Sequence, residues 1–428
     1  MLIEFTVGNF KSFREKTTFS MIAANLTSED PSLDRNNVIP IKKNFSLLKA
    51  AALYGANASG KSNFGVALRF MRQMVLDASQ WNSTPAAFGV EPFLLDTYSK
   101  DQPSFFEIVF LLNGQQFRYG FEVDMSHVVS EWLFHVPKTK EVALFLREEQ
   151  EITVKSGFKE GKGLELRTRK EALFLSIAAL LNGHIAQQIL GWFGGFIVAT
   201  GLTDELFRDF TIDHLQKENE RKNIVGFLKA FDLGFDDLVL KAASEEKEDS
   251  QRSPQRSIIV THRIKDDGGN VVAEQSFDAN NQESQGTQKM IALAGPLLGI
   301  LEYGQPIFID ELDARLHPLI TRRIIEIFQS PLTNPKGAQL IFSTHDANLL
   351  DKRLFRRDQI WFTEKDREGS THLTSLVEYK VRNDAAYEKN YLEGRYGAIP
   401  FLGDLNRLPI VPQQEKPEIA ADRERVYA

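Results

Sequence analysis

Apolar and polar positions follow several different patterns along the chain, and each pattern predicts a different element. Residues 2–7 and 19–23 are short apolar runs that predict two strands around a charged turn. Residues 47–54 form a continuous apolar run that stops at Gly55, and an amphipathic stretch follows over residues 62–74. This order predicts a buried strand, a glycine-containing loop and a helix.

The middle of the chain changes from a strand pattern to a helix pattern. Short aromatic and β-branched runs at residues 105–112, 116–123 and 131–136 predict antiparallel strands. Helical periodicity follows at residues 170–190 and again at residues 204–231. We interpret these two helical stretches as a short helical arm.

The last third of the chain predicts a hairpin and then alternating helices and strands. Residues 244–257 are polar and charged, which is typical of a mobile loop. Residues 258–264 and 271–277 flank an Asp-Asp-Gly-Gly turn and predict a hairpin. The segments that follow are a helix from Ser284 to Leu301, a strand at residues 306–309, a helix at residues 316–328 and a strand at residues 339–342. Such alternation predicts a parallel sheet with crossover helices. The tail beyond Pro409 is rich in Pro, Glu and Gln, and we expect it to be poorly ordered.

Composition narrows the classes of function. The chain has 428 residues with 42% hydrophobic content, which is enough for a large core. Its formal charge of −7 gives no overall attraction to nucleic acid or to an anionic membrane. There is no cysteine, which excludes disulfides, iron–sulfur clusters and thiolate zinc sites, and we expect a cytoplasmic protein. No stretch of about 18 apolar residues predicts a membrane-spanning helix, so no membrane partner is expected.

Residues 55–62 satisfy the phosphate-loop pattern, and they lie where that pattern must lie, between a predicted strand and a predicted helix. Main-chain N–H groups at such a helix N-terminus converge on a phosphate. Lys61 is expected to reach the β- and γ-phosphate oxygens of ATP, and the Ser62 hydroxyl to ligate Mg²⁺. The predicted ATP-binding residues are Gly55, Asn57, Ala58, Ser59, Gly60, Lys61, Ser62 and Asn63.

Two acids end the predicted strand at residues 306–309. An apolar run that ends in Asp-Glu is often only a buried strand that reaches solvent, but a phosphate loop in the same chain favours a catalytic role. Asp310 is expected to hold Mg²⁺, and Glu311 to act as the general base that polarises the attacking water.

Two further candidates lie near helix and strand ends. His345 follows the next predicted strand, where a histidine can contact the γ-phosphate. Ser284 is a good N-cap for the helix before the carboxylate strand, and the N–H groups of that turn form another anion site. Taken in isolation, an ordinary capped helix explains Ser284 equally well.

These elements, in this order, resemble the ABC-type ATPases of the RecF, SMC and OLD group. The resemblance rests on residues 7–13 (VGNFKSF), the phosphate loop, residues 284–287 (SQGT), Asp310-Glu311 with the Leu312-Asp313 D-loop, and His345. It covers roughly residues 1–75 and 280–365. It implies an α/β P-loop NTPase of the ABC type with a mixed parallel core sheet, an antiparallel β subdomain and a helical insertion.

The resemblance also implies an active site shared by two copies of the chain, at least a homodimer. Ser284, Gly286 and Thr287 of one copy would bind the γ-phosphate held by the phosphate loop of another. Gln285 and Thr287 depart from the transporter-type signature, so this contact in trans rests on weaker evidence than the phosphate loop. Lys61, Glu311 and His345 would be catalytic, Asp313 would be the D-loop acid, and ATP and Mg²⁺ would be the ligands.

Some family elements stay unassigned by sequence. Gln73, Gln115 and Gln116 are candidates for the glutamine loop of this superfamily. Phe10 and Phe13 are candidates for stacking on adenine, but aromatic residues beside an N-terminal strand usually pack in a core, and we expect the latter.

Within the group, residues 310–318 (DELDARLHP) and 391–400 (YLEGRYGAIP) look most like the stand-alone AAA-15/AAA-21 ATPases, which are similar to ATPase subunits of bacterial anti-phage abortive-infection systems. The implied domains are an N-terminal ATPase lobe at residues 1–84, an insertion at residues 85–280, a second lobe at residues 281–376 and an extension at residues 377–428. No room remains for an OLD-type nuclease domain, so we expect any effector, possibly a nuclease, to be a separate polypeptide.

Three functions remain open at this point. The first is an oligomeric ATPase that senses or regulates a separate effector, in defence against phage. The second is a RecF-like repair ATPase that clamps DNA, with basic stripes at Arg167, Arg169 and Lys170 or at Arg221 and Lys222. The third is a scaffold that holds ATP as a structural ligand, against which Glu311 argues, because a pure binding site needs no base. A transporter subunit fits the N-terminal segment and the long insertion poorly.

Overall fold

The computed structural model describes residues 1–77, 89–138, 140–241, 256–379 and 385–400. Most of the predicted loop at residues 244–257 and the predicted disordered tail beyond Pro409 lie outside these ranges. The strands of the described residues are β1 (Leu2–Gly8), β2 (Thr17–Ser20), β3 (Val38–Lys42), β4 (Phe45–Leu48), β5 (Ala50–Gly55), β6 (Ser104–Leu112), β7 (Gln115–Val123), β8 (Val128–Val136), β9 (Val142–Glu148), β10 (Glu151–Val154), β11 (Ile197–Thr200), β12 (Asp237–Lys241), β13 (Ser257–Lys265), β14 (Val271–Asp278), β15 (Pro306–Asp310), β16 (Gln339–Ser343), β17 (Ile360–Lys365) and β18 (Thr371–Ser375).

The α-helices of the same residues are α1 (Pro31–Asn37), α2 (Lys61–Leu76), α3 (Phe174–Leu180), α4 (His184–Gly195), α5 (Glu205–Leu215), α6 (Glu218–Lys229), α7 (Ala279–Gln282), α8 (Gln285–Tyr303), α9 (Pro318–Gln329) and α10 (Tyr387–Leu392). Among them, no single helix is long and apolar enough to cross a membrane, and only the bent pair α3 and α4 passes that test, by length and composition alone.

A predominantly parallel sheet carries the candidate site. Its described strands run in the order β11-β15-β16-β5-β17-β18, all parallel to their neighbours except β18. In β5, Ala51 and Leu53 join one hydrophobic cluster, whereas Ala50, Ala52 and Tyr54 join the other. Burial on both faces explains why this strand is a continuous apolar run rather than an alternating one.

An antiparallel sheet lies on the other side of α2. Its order is β10-β9-β8-β7-β6-β1-β2 among the described strands. Helix α2 joins the two sheets, because the Phe64 ring lies 5.5 Å from the Phe5 ring of β1 and 5.6 Å from the Phe308 ring of β15. Gly65 permits this approach, since a Cβ there would meet the Phe308 ring at 2.5 Å. The helix that begins at the phosphate loop is therefore fixed on two sides.

Helix α5 is clamped to α8 at a proline. Pro296 has no N–H to donate to the Ala292 carbonyl one turn earlier in α8. The Thr211 hydroxyl donates to that carbonyl at 2.7 Å and accepts from the Gly295 amide at 3.1 Å. A small sheet of β12, β13 and β14 lies beside these helices.

The predicted α/β class with a mixed core sheet and an antiparallel subdomain is confirmed, as are the parallel alternation of the last third and the hairpin of β13 and β14. The interpretation of residues 170–190 and 204–231 as a short helical arm is wrong. Helices form in both stretches, but α3 and α4 join the hydrophobic core beside α2, and α5 packs along α8 through the Thr211 contacts. The single strand predicted at residues 47–54 is two strands in different sheets, divided at Lys49.

Several elements have no counterpart in the prediction, namely α1, α7, α10, β3, β9, β10, β11, β12, β17 and β18. Strand β11 matters most, because it lies within residues 85–280 yet pairs in parallel with β15 of the core sheet. In the same way, β6 of that stretch pairs with β1. The domain limits at residues 84, 280 and 376 stay a prediction.

Candidate functional site

The phosphate loop leaves β5 at Gly55 and enters α2 at Lys61. Ala58 and Gly60 adopt positive φ values of 62° and 113°, so the loop needs a left-handed backbone at two places. Packing also requires glycine at its two ends: a Cβ on Gly55 would lie 2.3 Å from Thr363 Oγ1, and a Cβ on Gly60 would lie 2.2 Å from Thr371 Oγ1. Residues of β17 and β18 therefore support the loop from behind.

Lys61 is a buried cation at the start of α2. Its Nζ donates to the carbonyls of Gly55 at 2.7 Å and of Ala56 at 3.0 Å. Burial lowers the pKa of Lys61, while the carboxylates of Asp310 and Glu311 act in the opposite direction. A cation that is desolvated and bonded to main-chain carbonyls of its own loop fits an incoming phosphate chain, which offers stronger charged acceptors.

A set of hydroxyl groups holds the loop, and sequence reasoning missed it. Thr371 Oγ1 lies 2.8 Å from Ser12 Oγ and 2.9 Å from the carbonyl of Ser59. Asn63 Nδ2 donates to Ser12 Oγ at 2.7 Å, and Ser59 Oγ lies 2.6 Å from Thr363 Oγ1. Ser12 belongs to the N-terminal motif that carried the family resemblance, whereas the two threonines carry no sequence signal.

The carboxylates lie at the end of β15, which is separated from β5 by β16. The Ser343 hydroxyl of β16 donates to Asp310, and it accepts from the Glu311 amide at 2.7 Å. Glu311 has a φ of 54°, which is costly for a residue with a side chain and is typical of functional sites. Ser62 is exposed at the first turn of α2, and the carboxylates contribute to the electrostatics at Lys61. The Ser62 hydroxyl and the Asp310 carboxylate are oxygen groups of the type that Mg²⁺ prefers as ligands.

The D-loop follows the carboxylates and touches the next strand end. Asp313 Oδ2 accepts from the His345 amide at 3.4 Å, and the His345 side chain is exposed. Asp313 Oδ1 and the hydroxyl of Tyr54 are buried without a hydrogen-bond partner among the described residues. Burial raises the pKa of Tyr54, and the charges of Asp346 and Asp313 add to that effect.

The signature turn, residues 284–287, lies at the N-terminus of α8. Ser284 is its N-cap, as predicted, and accepts from the Thr287 amide at 3.1 Å. Ser284 is exposed, and a Cβ on Gly286 would lie 3.1 Å from the Arg315 carbonyl, next to the D-loop. The hydrogen bonds of Ser284 stay within this turn, and none that the structure describes reaches residues 55–62 of the same chain.

Comparison with known proteins identifies the family. The model described as "AAA domain, putative AbiEii toxin, Type IV TA system" (AAA-21) matches residues 50–351, which is more than half of the chain. The chain belongs to this family. The match begins at β5 and ends just past His345, so it contains the phosphate loop, the signature turn and the carboxylates.

The other comparisons add less to the AAA-21 assignment. No curated protein matches the chain. Among solved structures, the chain is similar to the SMC head domain from Thermotoga maritima, with a TM-score of 0.40, 12% identity, and coverage of 87% of this chain and 98% of that one. It is also similar to the SmcHead bound to the C-winged helix domain of ScpA, with a TM-score of 0.46, 15% identity, and coverage of 87% and 97%.

The three candidates for the glutamine loop lie away from the phosphate loop, and the two candidates for stacking on adenine lie in the hydrophobic core. Gln73 is exposed, twelve residues along α2 from Lys61, which is about 18 Å of helix. Gln115 and Gln116 pair with β6 at the end of the sheet where β1 begins, whereas the loop is held beyond the other end of β1. Phe10 and Phe13 are fully buried, which confirms the expectation that they pack in the core.

Proposed function

We propose that this AAA-21 P-loop ATPase hydrolyses ATP with Mg²⁺ at a site shared by two copies of the chain, and that this cycle regulates a separate effector protein in anti-phage defence. The observation that carries the ATPase part is the position of Lys61. This buried cation lies at the end of the phosphate loop, and the charges of Asp310 and Glu311 act on it from the end of β15, which is separated from β5 by β16.

Each site residue has a separate role in the proposed hydrolysis of ATP. Lys61 and the loop amides bind the β- and γ-phosphates, and Ser62 and Asp310 would hold Mg²⁺, which would neutralise charge on the phosphate oxygens. Glu311 accepts a proton from water as the water oxygen bonds to the γ-phosphorus. The bond from that phosphorus to the β–γ bridging oxygen breaks, which leaves ADP and phosphate. His345 contacts the γ-phosphate from the adjacent strand end.

The signature turn supports a site in trans. Ser284 caps an exposed helix N-terminus whose N–H groups make an anion site, and its hydrogen bonds stay within the turn. Ser284, Gly286 and Thr287 of the partner copy complete the γ-phosphate site in this proposal. Asp313 is consistent with it, because a buried carboxylate oxygen without a partner is costly and a second copy would supply a donor.

Regulation of an effector is supported by the family. The AAA-21 description names an AbiEii toxin and a type IV toxin–antitoxin system. Within the described residues, no group of three or more His, Cys, Asp or Glu side chains is placed to bind a metal ion as a nuclease centre would. The proposed partners are therefore a second copy of this chain and a separately encoded effector.

A DNA clamp is the second candidate, because Arg167, Arg169 and Lys170 are exposed on one short segment. The other basic pair argues against it. Arg221 bonds Glu218 at 3.0 Å and Asp237 at 2.6 Å, and Lys222 lies 3.4 Å from Glu218, so these cations are already paired with acids of the chain.

Capture of partners by a trapped variant tests the proposal. Tagged Glu311→Gln protein with ATP and Mg²⁺ would be recovered from its native cells with and without nuclease treatment, and Lys61→Ala protein serves as the control without nucleotide. A defined protein that survives nuclease and is absent from the control supports effector regulation. Recovery of nucleic acid alone contradicts it and favours the DNA clamp.

A further inference from the structure

Lys289 connects α8, the helix that begins at the signature turn, to the D-loop of the same chain. It lies five residues after Ser284, in the second turn of α8, and its side chain is fully buried. Its Nζ donates to the main-chain carbonyls of Leu312 at 3.0 Å and Ala314 at 2.5 Å, which flank Asp313. These contacts hold the loop after Glu311 against the helix that begins at the signature turn.

A third segment, the turn that follows β11, packs against Lys289. A Cβ on Gly201, which follows β11, would lie 2.8 Å from Lys289 Nζ and 2.2 Å from the Glu311 carbonyl oxygen. The Gly201 amide donates to the Asp310 carbonyl at 2.6 Å. Arg315 holds the same turn through the Gly201 carbonyl at 3.2 Å and Asp204 at 2.6 Å. Lys289 therefore lies where the signature helix, the D-loop and the β11 turn meet.

A charged residue in this position has a cost in stability. Burial lowers the pKa of Lys289 to about 8, and the charge of Arg315 acts in the same direction, while Asp204, Asp313 and Glu311 oppose it. The positive end of the α8 dipole also disfavours a cation near its first turns. An apolar side chain of similar length would avoid these costs. A lysine is therefore favoured at this position only if its hydrogen bonds to the Leu312 and Ala314 carbonyls contribute to function.

We propose that Lys289 is a positioning residue that sets Glu311 and the D-loop relative to the signature turn, so that the two ATP sites of a dimer close together. The proposal rests on the shared site proposed above. In such a dimer, Ser284 of a chain serves the partner's ATP, whereas Glu311 and Asp313 of that chain serve its own. Movement of the signature turn at one site is then passed through Lys289 to the base at the other site.

Removal of the ammonium group tests this role. Lys289→Met keeps the length of the side chain, and Lys49→Met is the matched control, because Lys49 is also buried and donates to a main-chain carbonyl, that of Gln329 at 2.8 Å, outside the site. Three readouts are needed: ATP binding by separated subunits, ATP hydrolysis as a function of ATP concentration, and hydrogen exchange of the amides of residues 311–315.

The expected result has four parts. Lys289→Met binds ATP as separated subunits within about twofold of wild type, loses about tenfold or more in kcat, and lowers the Hill coefficient from near two toward one. Its D-loop amides exchange faster, whereas Lys49→Met changes none of these. Unchanged kcat, Hill coefficient and exchange in Lys289→Met would overturn the proposal. So would faster exchange with an unchanged Hill coefficient in a variant that still hydrolyses ATP, since that describes a merely structural contact.

Failure of the proposed function gives a different result. Wild-type protein would then show no hydrolysis that depends on Glu311, whichever residue stands at position 289. In that case the coupling between sites fails with the proposed function, and hydrogen exchange tests only whether Lys289 holds the D-loop. Unchanged D-loop exchange in Lys289→Met would overturn that contact as well.

Discussion

The hydroxyl of Ser343 donates to the carboxylate of Asp310 across the neighbouring strands β16 and β15. The same hydroxyl accepts from the amide of Glu311 at 2.7 Å. One buried serine thus orients both acids of the candidate site, the proposed metal ligand through its side chain and the proposed base through its backbone.

Ser343→Ala is expected to damage hydrolysis more than binding. The substitution leaves Asp310 and the Glu311 amide without this partner, and loss of such a supporting contact typically costs about 10- to 100-fold in activity. ATP affinity should change by less than about threefold, because the phosphate loop is untouched. Steady-state ATPase and nucleotide-binding measurements check this. The control is Ser370→Ala, which removes a buried hydroxyl that has no partner among the described residues; an equal loss in both variants would contradict the prediction.

Lys61→Ala and Glu311→Gln are expected to separate binding from chemistry. Loss of the buried cation at position 61 removes the charge that meets the phosphates, so nucleotide binding should be abolished. Glu311→Gln keeps the shape of the side chain but cannot accept a proton, so binding should persist while hydrolysis falls by about 10²- to 10⁴-fold. Nucleotide titrations and phosphate release check both. Turnover at the wild-type rate in Glu311→Gln would show that another group is the base.

Two glycine-to-alanine substitutions in helices are expected to change the free energy of unfolding in opposite directions. Gly65→Ala would place a Cβ 2.5 Å from the Phe308 ring and should lower the free energy of unfolding by about 1–3 kcal/mol. Gly226→Ala, in α6, meets nothing within 4 Å and should raise it by about 0.4–1 kcal/mol. Denaturant unfolding of both variants measures the difference. A Gly65→Ala protein as stable as wild type would mean that α2 lies farther from β15.

The rate of ATP hydrolysis should depend on pH through the protonation of Lys289. Because the pKa of Lys289 is lowered to about 8, its ammonium group loses its charge as pH rises through that value, and its bonds to the D-loop carbonyls weaken. Arg315, Asp204, Asp313 and Glu311 are the charges that face it. Hydrolysis at saturating ATP should therefore fall above about pH 8. Arginine stays charged there, so a Lys289→Arg variant that folds should keep its rate, and an identical fall in both proteins would assign the titration to another group.

Local signals in the sequence predict the elements with strong patterns. The apolar run before Gly55, the amphipathic α2 and the acids after β15 fixed the order of strands and helices around the phosphate loop. Ser284 was predicted as an N-cap because its type and its place before a helix are sufficient for that role.

Contacts between distant segments were not predictable from these signals. Thr363 and Thr371 support the phosphate loop from strands more than 300 residues later in the chain, and nothing in their local pattern marks them. Strand β11 is only four residues long, and its pairing with β15 defines it as part of the core. Lys289 resembled any polar residue on a helix, and its buried position depends on the D-loop and on Gly201.

Mixing two defective proteins tests the shared site most directly. Lys61→Ala protein lacks a working phosphate loop, and Ser284→Arg protein lacks a working signature turn, so each alone should have almost no ATPase activity. If the signature acts in trans, each mixed dimer has one site with both residues intact, and an equal mixture should recover activity above that of either component. The recovered rate is about a quarter of the wild-type rate for independent sites and lower when the two sites are coupled. If the mixture stays as inactive as its components while wild-type protein mixed in the same way keeps its rate, the site is not shared between two copies.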